Sequence, residues 1–168
     1  AAFDRIKAEA NGTAPDANPL VNPSAADYTT VGASAAAALA TDAESWSLFS
    51  DIIANRTASD VDTAARIDAL ANITSAIMTQ AAGGTPAPAL TTADFAAIGI
   101  TGVTTDNLPF LITSITATND SGSGVDTLTE LQSLVTIAQQ DFIQQQLAQQ
   151  RQQAALDVIR GYAGDATT

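Results

Sequence analysis

Ser24-Ala-Ala-Asp27-Tyr28-Thr-Thr-Val31-Gly32 and Thr91-Thr-Ala-Asp94-Phe95-Ala-Ala-Ile98-Gly99 carry one pattern twice, 67 residues apart. A hydroxyl residue stands three places before an aspartate, an aromatic and an aliphatic residue follow three apart, and glycine closes the phrase. That order predicts a short capped helix with a C-terminal stop. Downstream, Val61-Asp62-Thr63 with Ile67 and Leu70 aligns with Val125-Asp126-Thr127, Leu131 and Leu134, now 64 residues apart. The altered spacing is a small loop deletion in the second copy. A third echo links the ends: AAFDRIKAEANGT, residues 1–13, returns as AALDVIRGYAGDA, residues 154–166. Self-similarity of this kind implies one supersecondary unit stacked in series, each burying an apolar face on its neighbour.

Outward from the repeated phrases, apolar spacing predicts the remaining helices. Phe3, Ile6 and Ala10 share a face of a helix over 1–11. Residues 13–23, with Pro15, Pro19 and Pro23, read as a loop. Helices are expected at 25–31, at 42–55 around Trp46, Phe49, Ile52 and Ile53, and at 62–82 around Ile67, Leu70, Ile73, Ile77 and Met78. Gly83-Gly84 ends the last of these, and Pro86 and Pro88 mark a second loop. The second copy gives helices at 92–98 and 106–117, with Pro109 in the first turn, where a missing amide hydrogen costs little. From 126 to 162 no proline intervenes, and the only glycine is Gly161. This final helix carries Leu128, Leu131, Leu134, Val135, Ala138 and Phe142 inward. The inward stripe then thins to Leu147 and resumes at Leu156 and Ile159, across a Gln-rich stretch that is polar nearly all round, as in helices that bridge domains or meet a partner.

The expected fold is therefore all-α: two tandem three-helix units joined by Pro/Gly loops, with a long C-terminal helix. The first unit covers 1–82, its residues 1–12 being the end of a preceding repeat's helix. The second covers 83–168.

Composition narrows the chemistry. The 168 residues hold no Cys and no His, and eighteen acids against six bases give a net charge of -12. Without Cys or His there is no thiol nucleophile, Ser-His-Asp triad, Cys/His zinc site or haem ligand. The acidity opposes nucleic acid and anionic membrane surfaces, which attract clustered Lys and Arg. No stretch has the length of apolar sequence that spans a bilayer. Abundant Ala, Thr, Asp, Asn and Gln with a single Lys suits an exported protein, so an extracellular or cell-surface location is expected.

Candidate sites are few. Asn119, Ser121, Ser123, Asp126 and Glu130 have EF-hand-like spacing and form a calcium candidate, but acids are missing at its first positions. The competing reading is a capping box in which Thr127 accepts a first-turn amide and Glu130 reaches back. Asp27, Asp42, Asp62, Asp94, Asp106 and Asp126 stand where helices begin, suited to free amides and the helix dipole. Trp46 and Phe110 read as core residues before they read as anchors for a ligand. Gln144, Gln145, Leu147 and Arg151 are the candidate partner-binding residues. No cofactor and no catalytic residue is indicated, and the chain does not read as an enzyme.

Asp94-Phe-Ala-Ala-Ile-Gly-Ile-Thr-Gly-Val-Thr-Thr-Asp-Asn-Leu108, an aliphatic helix, and Val125-Asp-Thr-Leu-Thr-Glu-Leu-Gln-Ser-Leu-Val135 resemble a repeat of very large exported bacterial surface proteins, including adhesins. The stretch is also distantly similar to the three-helix albumin-binding modules of Gram-positive surface proteins, where a Gly-Ile-Thr turn joins the first two helices. The resemblance covers residues 91–135 well and 24–72 loosely, and Ala33-Ser34-Ala35 replaces Ile100-Thr101-Gly102. It implies a small helical module repeated in tandem, and transfers no albumin-binding residue. The function expected is a structural spacer or assembly segment of an extended surface protein or filament, with other copies or neighbouring repeats as partners. The rival is an adhesin module that binds a surface ligand through an exposed helix face.

Overall fold

The computed structural model describes residues 1–11, 22–118 and 124–165, which form helices and no strand. The elements are α1 (Ala2–Ala10), α2 (Ala25–Thr30), α3 (Ser34–Leu39), α4 (Ala43–Ala54), α5 (Ala64–Ala81), α6 (Thr92–Ala97), α7 (Leu108–Ala117) and α8 (Leu128–Asp165). The protein is all-α, with a long C-terminal helix. The expected loop over 13–23 falls largely outside the described residues.

The repeated phrases form the same turn. Asp27 accepts hydrogen bonds from the backbone N–H and the hydroxyl of Ser24, both at 2.9 Å, and Asp94 does the same for Thr91 at 2.8 and 2.6 Å. At the other end, Gly32 N–H donates to Thr29 C=O and Ala33 N–H to Tyr28 C=O. Gly99 N–H donates to Ala96 C=O and Ile100 N–H to Phe95 C=O in the same way. These are paired Schellman closures, which need a residue of positive φ just past the helix. Gly32 (φ 83°) and Gly99 (φ 88°) supply it.

Past the closures the two copies diverge, and here the sequence reading missed an element. Helix α3 was not expected, because six residues with no capping side chain of their own have little to nucleate them. Its cap comes from another helix: Asp68 of α5 accepts the N–H of Ala35 at 2.9 Å and of Ala36 at 3.1 Å. The aligned position in α8 is Gln132, whose Oε1 accepts the N–H of Thr101 at 3.1 Å while its Nε2 donates to Thr101 C=O at 3.0 Å. One position thus ties the segment after the glycine to the last helix in both halves. In the second half that segment stays non-helical. The buried Asn107 holds it, accepting from Thr104 N–H and donating to Gly102 C=O, each at 2.8 Å.

The apolar faces meet in one contiguous core running from Ile6 to Ala138. Helix α1 packs on α2 and α4, α5 packs on α3, α4 and α7, and α7 packs on α8. Because α5 serves the helices on both sides of Gly83-Gly84, the two halves share their interior. Tyr28 lies at its first end, edge-on to Phe49 and Trp46 with ring centroids 5.3 and 5.7 Å apart. Trp46 is half-buried there, and Phe110 is half-buried against Phe142 at 6.1 Å. Both occupy the packing role expected of them.

Gly99 meets a further constraint. Arg56, at the end of α4, donates from Nη1 to Ala97 C=O at 2.8 Å and from Nη2 to Ile98 C=O at 3.1 Å. It satisfies the last carbonyls of α6 with a cation, the sign the helix dipole favours there. A Cβ on Gly99 would press into that guanidinium, whereas one on Gly32 would only touch Ala64 Cβ at 3.9 Å. Gly32→Ala is therefore expected to cost about 1 to 2 kcal/mol, the left-handed penalty alone. Gly99→Ala costs more, and on an Arg56→Ala background it falls to the Gly32→Ala value; urea unfolding of the four variants checks this.

Candidate functional site on the C-terminal helix

Helix α8 is 38 residues long, about 57 Å at 1.5 Å per residue. Its beginning is fastened with care. Glu130 accepts from the N–H of Thr127 at 3.2 Å and from its hydroxyl at 3.0 Å, while Thr127 Oγ1 accepts Glu130 N–H at 3.2 Å. This is the capping box expected from Thr127-Leu-Thr-Glu130. Asp51 of α4 adds a long-range cap, its Oδ2 accepting Leu128 N–H at 2.7 Å, and its Oδ1 takes a bond from Asn55 Nδ2 at 3.1 Å. Nothing in the sequence marks Asp51 for this role, since it lies 77 residues away in the middle of another helix.

Of the calcium candidate, Asn119, Ser121 and Ser123 lie outside the described residues. Asp126 and Glu130 are described and stand side by side: a hydrogen bond from Asp126 and partial burial raise the Glu130 pKa above the usual glutamate range. The other expected helix-start acids divide. Asp42 caps α4 by accepting Ser45 N–H at 2.8 Å, and its bonds from Ser45 hold its carboxyl below the usual range. Asp62 instead pairs with Arg66 at 2.7 Å, and the cap of α5 is its neighbour Thr63. Asp106 precedes the N-cap Asn107 and lies outside the helix.

Where α4, the α6 turn and α8 converge, Asn55, Arg56, Gly99, Leu128 and Gln132 border an open groove of about 570 Å³. Arg56 and Gln132 are already committed to the contacts described above, and Ser133 and Thr136, which also line it, donate back to carbonyls of α8. No group of three or more metal-ligating side chains occurs among the described residues.

Beyond Phe142 the character of α8 changes. Every residue from 143 to 162 is exposed, including the partner candidates Gln144, Gln145, Leu147 and Arg151. Helix persists because the chain there is rich in good helix formers and grows from a folded start. Local pairs assist it, Gln153 Nε2 donating to Asp157 at 3.0 Å and Arg160 standing 3.5 Å from the same carboxylate. Apolar side chains are not absent: Ile143, Leu147, Leu156, Val158, Ile159 and Tyr162 all face solvent. Leu156 and Ile159, expected on an inward stripe, instead face solvent, with no helix of the described residues packed over them.

The acids carry a pH signature. A raised Glu130 pKa means the folded state holds its proton more tightly than the unfolded state, so this contribution is present below the unfolded pKa and is lost as pH rises through the folded one. Asp42 is the reverse: its contribution is present above the unfolded pKa and lost as pH falls through the lowered one. Glu130→Gln, which keeps an acceptor for Thr127, is expected to gain stability relative to the parent between pH 4 and 7. Asp42→Asn is less stable than the parent at both pH values, and its deficit shrinks only below about pH 4, where the parent's carboxylate takes up its proton; urea titrations at pH 7, at pH 4 and below it measure both.

Comparison with protein-family models, curated proteins and solved structures finds no match to this chain.

Proposed function

We propose that the chain is a structural spacer or assembly segment of an extended extracellular bacterial surface protein or filament. The observation that carries this reading is α8, a single helix anchored in the core at one end and running about 30 Å beyond it through residues 143–162. A projecting polar helix adds reach without adding a core, which is what a strut does. The resemblance of residues 91–135 to repeats of large exported surface proteins supports the setting. The net charge of -12 suits a soluble, self-repelling surface without affinity for nucleic acid. No described helix is long and apolar enough to cross a membrane.

A second reading, an adhesin module that recognises a host or environmental ligand through an exposed helix face, draws on the solvent-facing apolar residues of α8. The two differ in what fusion of copies does. For a spacer, small-angle scattering on one, two and three copies joined in series gives a maximum dimension that grows in proportion to copy number. A fusion that collapses into a particle no longer than one copy overturns the spacer reading.

A further inference from the structure

The exposed end of α8 is a second edition of α1. Residues 154–163 align with residues 1–10, and the three apolar side chains that α1 buries recur unchanged: Ala2 as Ala155, Ile6 as Ile159, Ala10 as Ala163. Phe3, half-buried against the core, recurs as Leu156. In α1 these residues lie on α2 and α4, and Ile6 is 0% exposed; in α8 Ile159 is 63% exposed. Ala2 and Ile6 are thus closed by a seat at one end of the chain, while the same residues at the same helical spacing, Ala155 and Ile159, are open at the other.

The middle of the chain shows the same device in use. Helix α5 ends in Ile77-Met-Thr-Gln-Ala81, with Ile77 and Ala81 buried at the spacing of Ile6 and Ala10. It packs on α7, the second-copy counterpart of α4, and Gln80 Nε2 donates to Thr116 Oγ1 of α7 at 2.7 Å. The last helix of the first half therefore leans on the middle helix of the second, as α1 leans on α4. Helix α8 is the last helix of the second half, and among the described residues no middle helix of a further copy lies against its exposed end.

We infer that residues 154–163 of α8 are a docking surface for the α2–α4 seat of a second copy of this unit, where they take the place of that copy's α1. The inference rests on the spacer reading and supplies its joint: one helix is shared by two successive cores. Charge agrees. The exposed stretch from 143 to 162 holds Arg151 and Arg160 against one acid, Asp157, while the rest of the chain is strongly acidic, so the approach of a second copy meets two cations rather than like charge. Besides Phe3, two seat-facing positions differ. Val158 replaces Arg5, giving up its ion pair with Asp27, and Tyr162 replaces the buried Glu9, putting an aromatic ring where a carboxylate is costly.

The test uses the absence of cysteine. A nitroxide on Leu156→Cys is compared in the single chain and in a fusion in which residues 1–163 run directly into residues 11–168 of a second copy. The expected result is a mobile spectrum in the single chain, an immobilised one in the fusion, and a helical signal twice that of the single chain. Adding Ile159→Asp to the fusion restores mobility and lowers the downstream unfolding midpoint as Ile6→Asp lowers that of the single chain. A label equally mobile in both proteins overturns the inference, as does a downstream copy that fails to gain helix. Immobilisation that appears in the single chain with rising concentration and brings dipolar broadening between labels overturns it too, because two labels at position 156 meet only when α8 pairs laterally with itself. The spacer reading is decided separately by particle length: a fusion that doubles in length with a mobile label keeps the spacer and loses the joint.

Discussion

The fold is governed by the need to satisfy helix ends. Each helix leaves about four amides and four carbonyls without an internal partner, and a helix of six residues is almost all ends. Helices α2, α3 and α6 are that short. They persist because side chains and turns take up what the backbone leaves over: Asp27 and Asp94 locally, Asp68 from α5, Arg56 at the close of α6, and glycine at the Schellman positions. The same need explains much of the composition. An excess of Asp, Ser, Thr and Asn in an all-helical chain is the stock of residues that finish helices.

Those end-caps also join the halves. Asp51 reaches from α4 to start α8, and Arg56 reaches from the end of α4 to finish α6, so polar bonds cross between the two copies in addition to the packing of α5 on α7 and of α4 on α8. A bond that closes a helix end and bridges two units ties local order to the wider arrangement. Loss of either side chain leaves a helix-end backbone group without its protein partner.

What was legible in the sequence was whatever depends on nearest neighbours. Seven of the eight helices follow from spacing, glycine stops and cap residues, and the Thr127–Glu130 box was readable because its parts lie three residues apart. What was hidden acts over distance. Asp68, Asp51 and Arg56 look like ordinary charges within helices until the chain folds, and α3 depends on the first of them. The contrast in α8 was half visible. Its polar stretch announced an exposed helix, but periodicity cannot say whether Leu156 and Ile159 have a partner, because an apolar stripe reads the same whether or not its seat is there. In the candidate site, Gln144, Gln145, Leu147 and Arg151 lie on exposed helix, and the more telling residues lie a turn or two beyond them.

A continuous helix transmits angle as well as distance. Each residue between the core-facing Ala138 and the outward Ile159 advances 1.5 Å but turns the chain by about 100°. Removing one residue from the glutamine run would barely shorten the arm, yet it would swing the distal face by more than a quarter turn. The composition of that run is therefore free to drift among helix formers, whereas its residue count is the quantity that fixes which way the far end points.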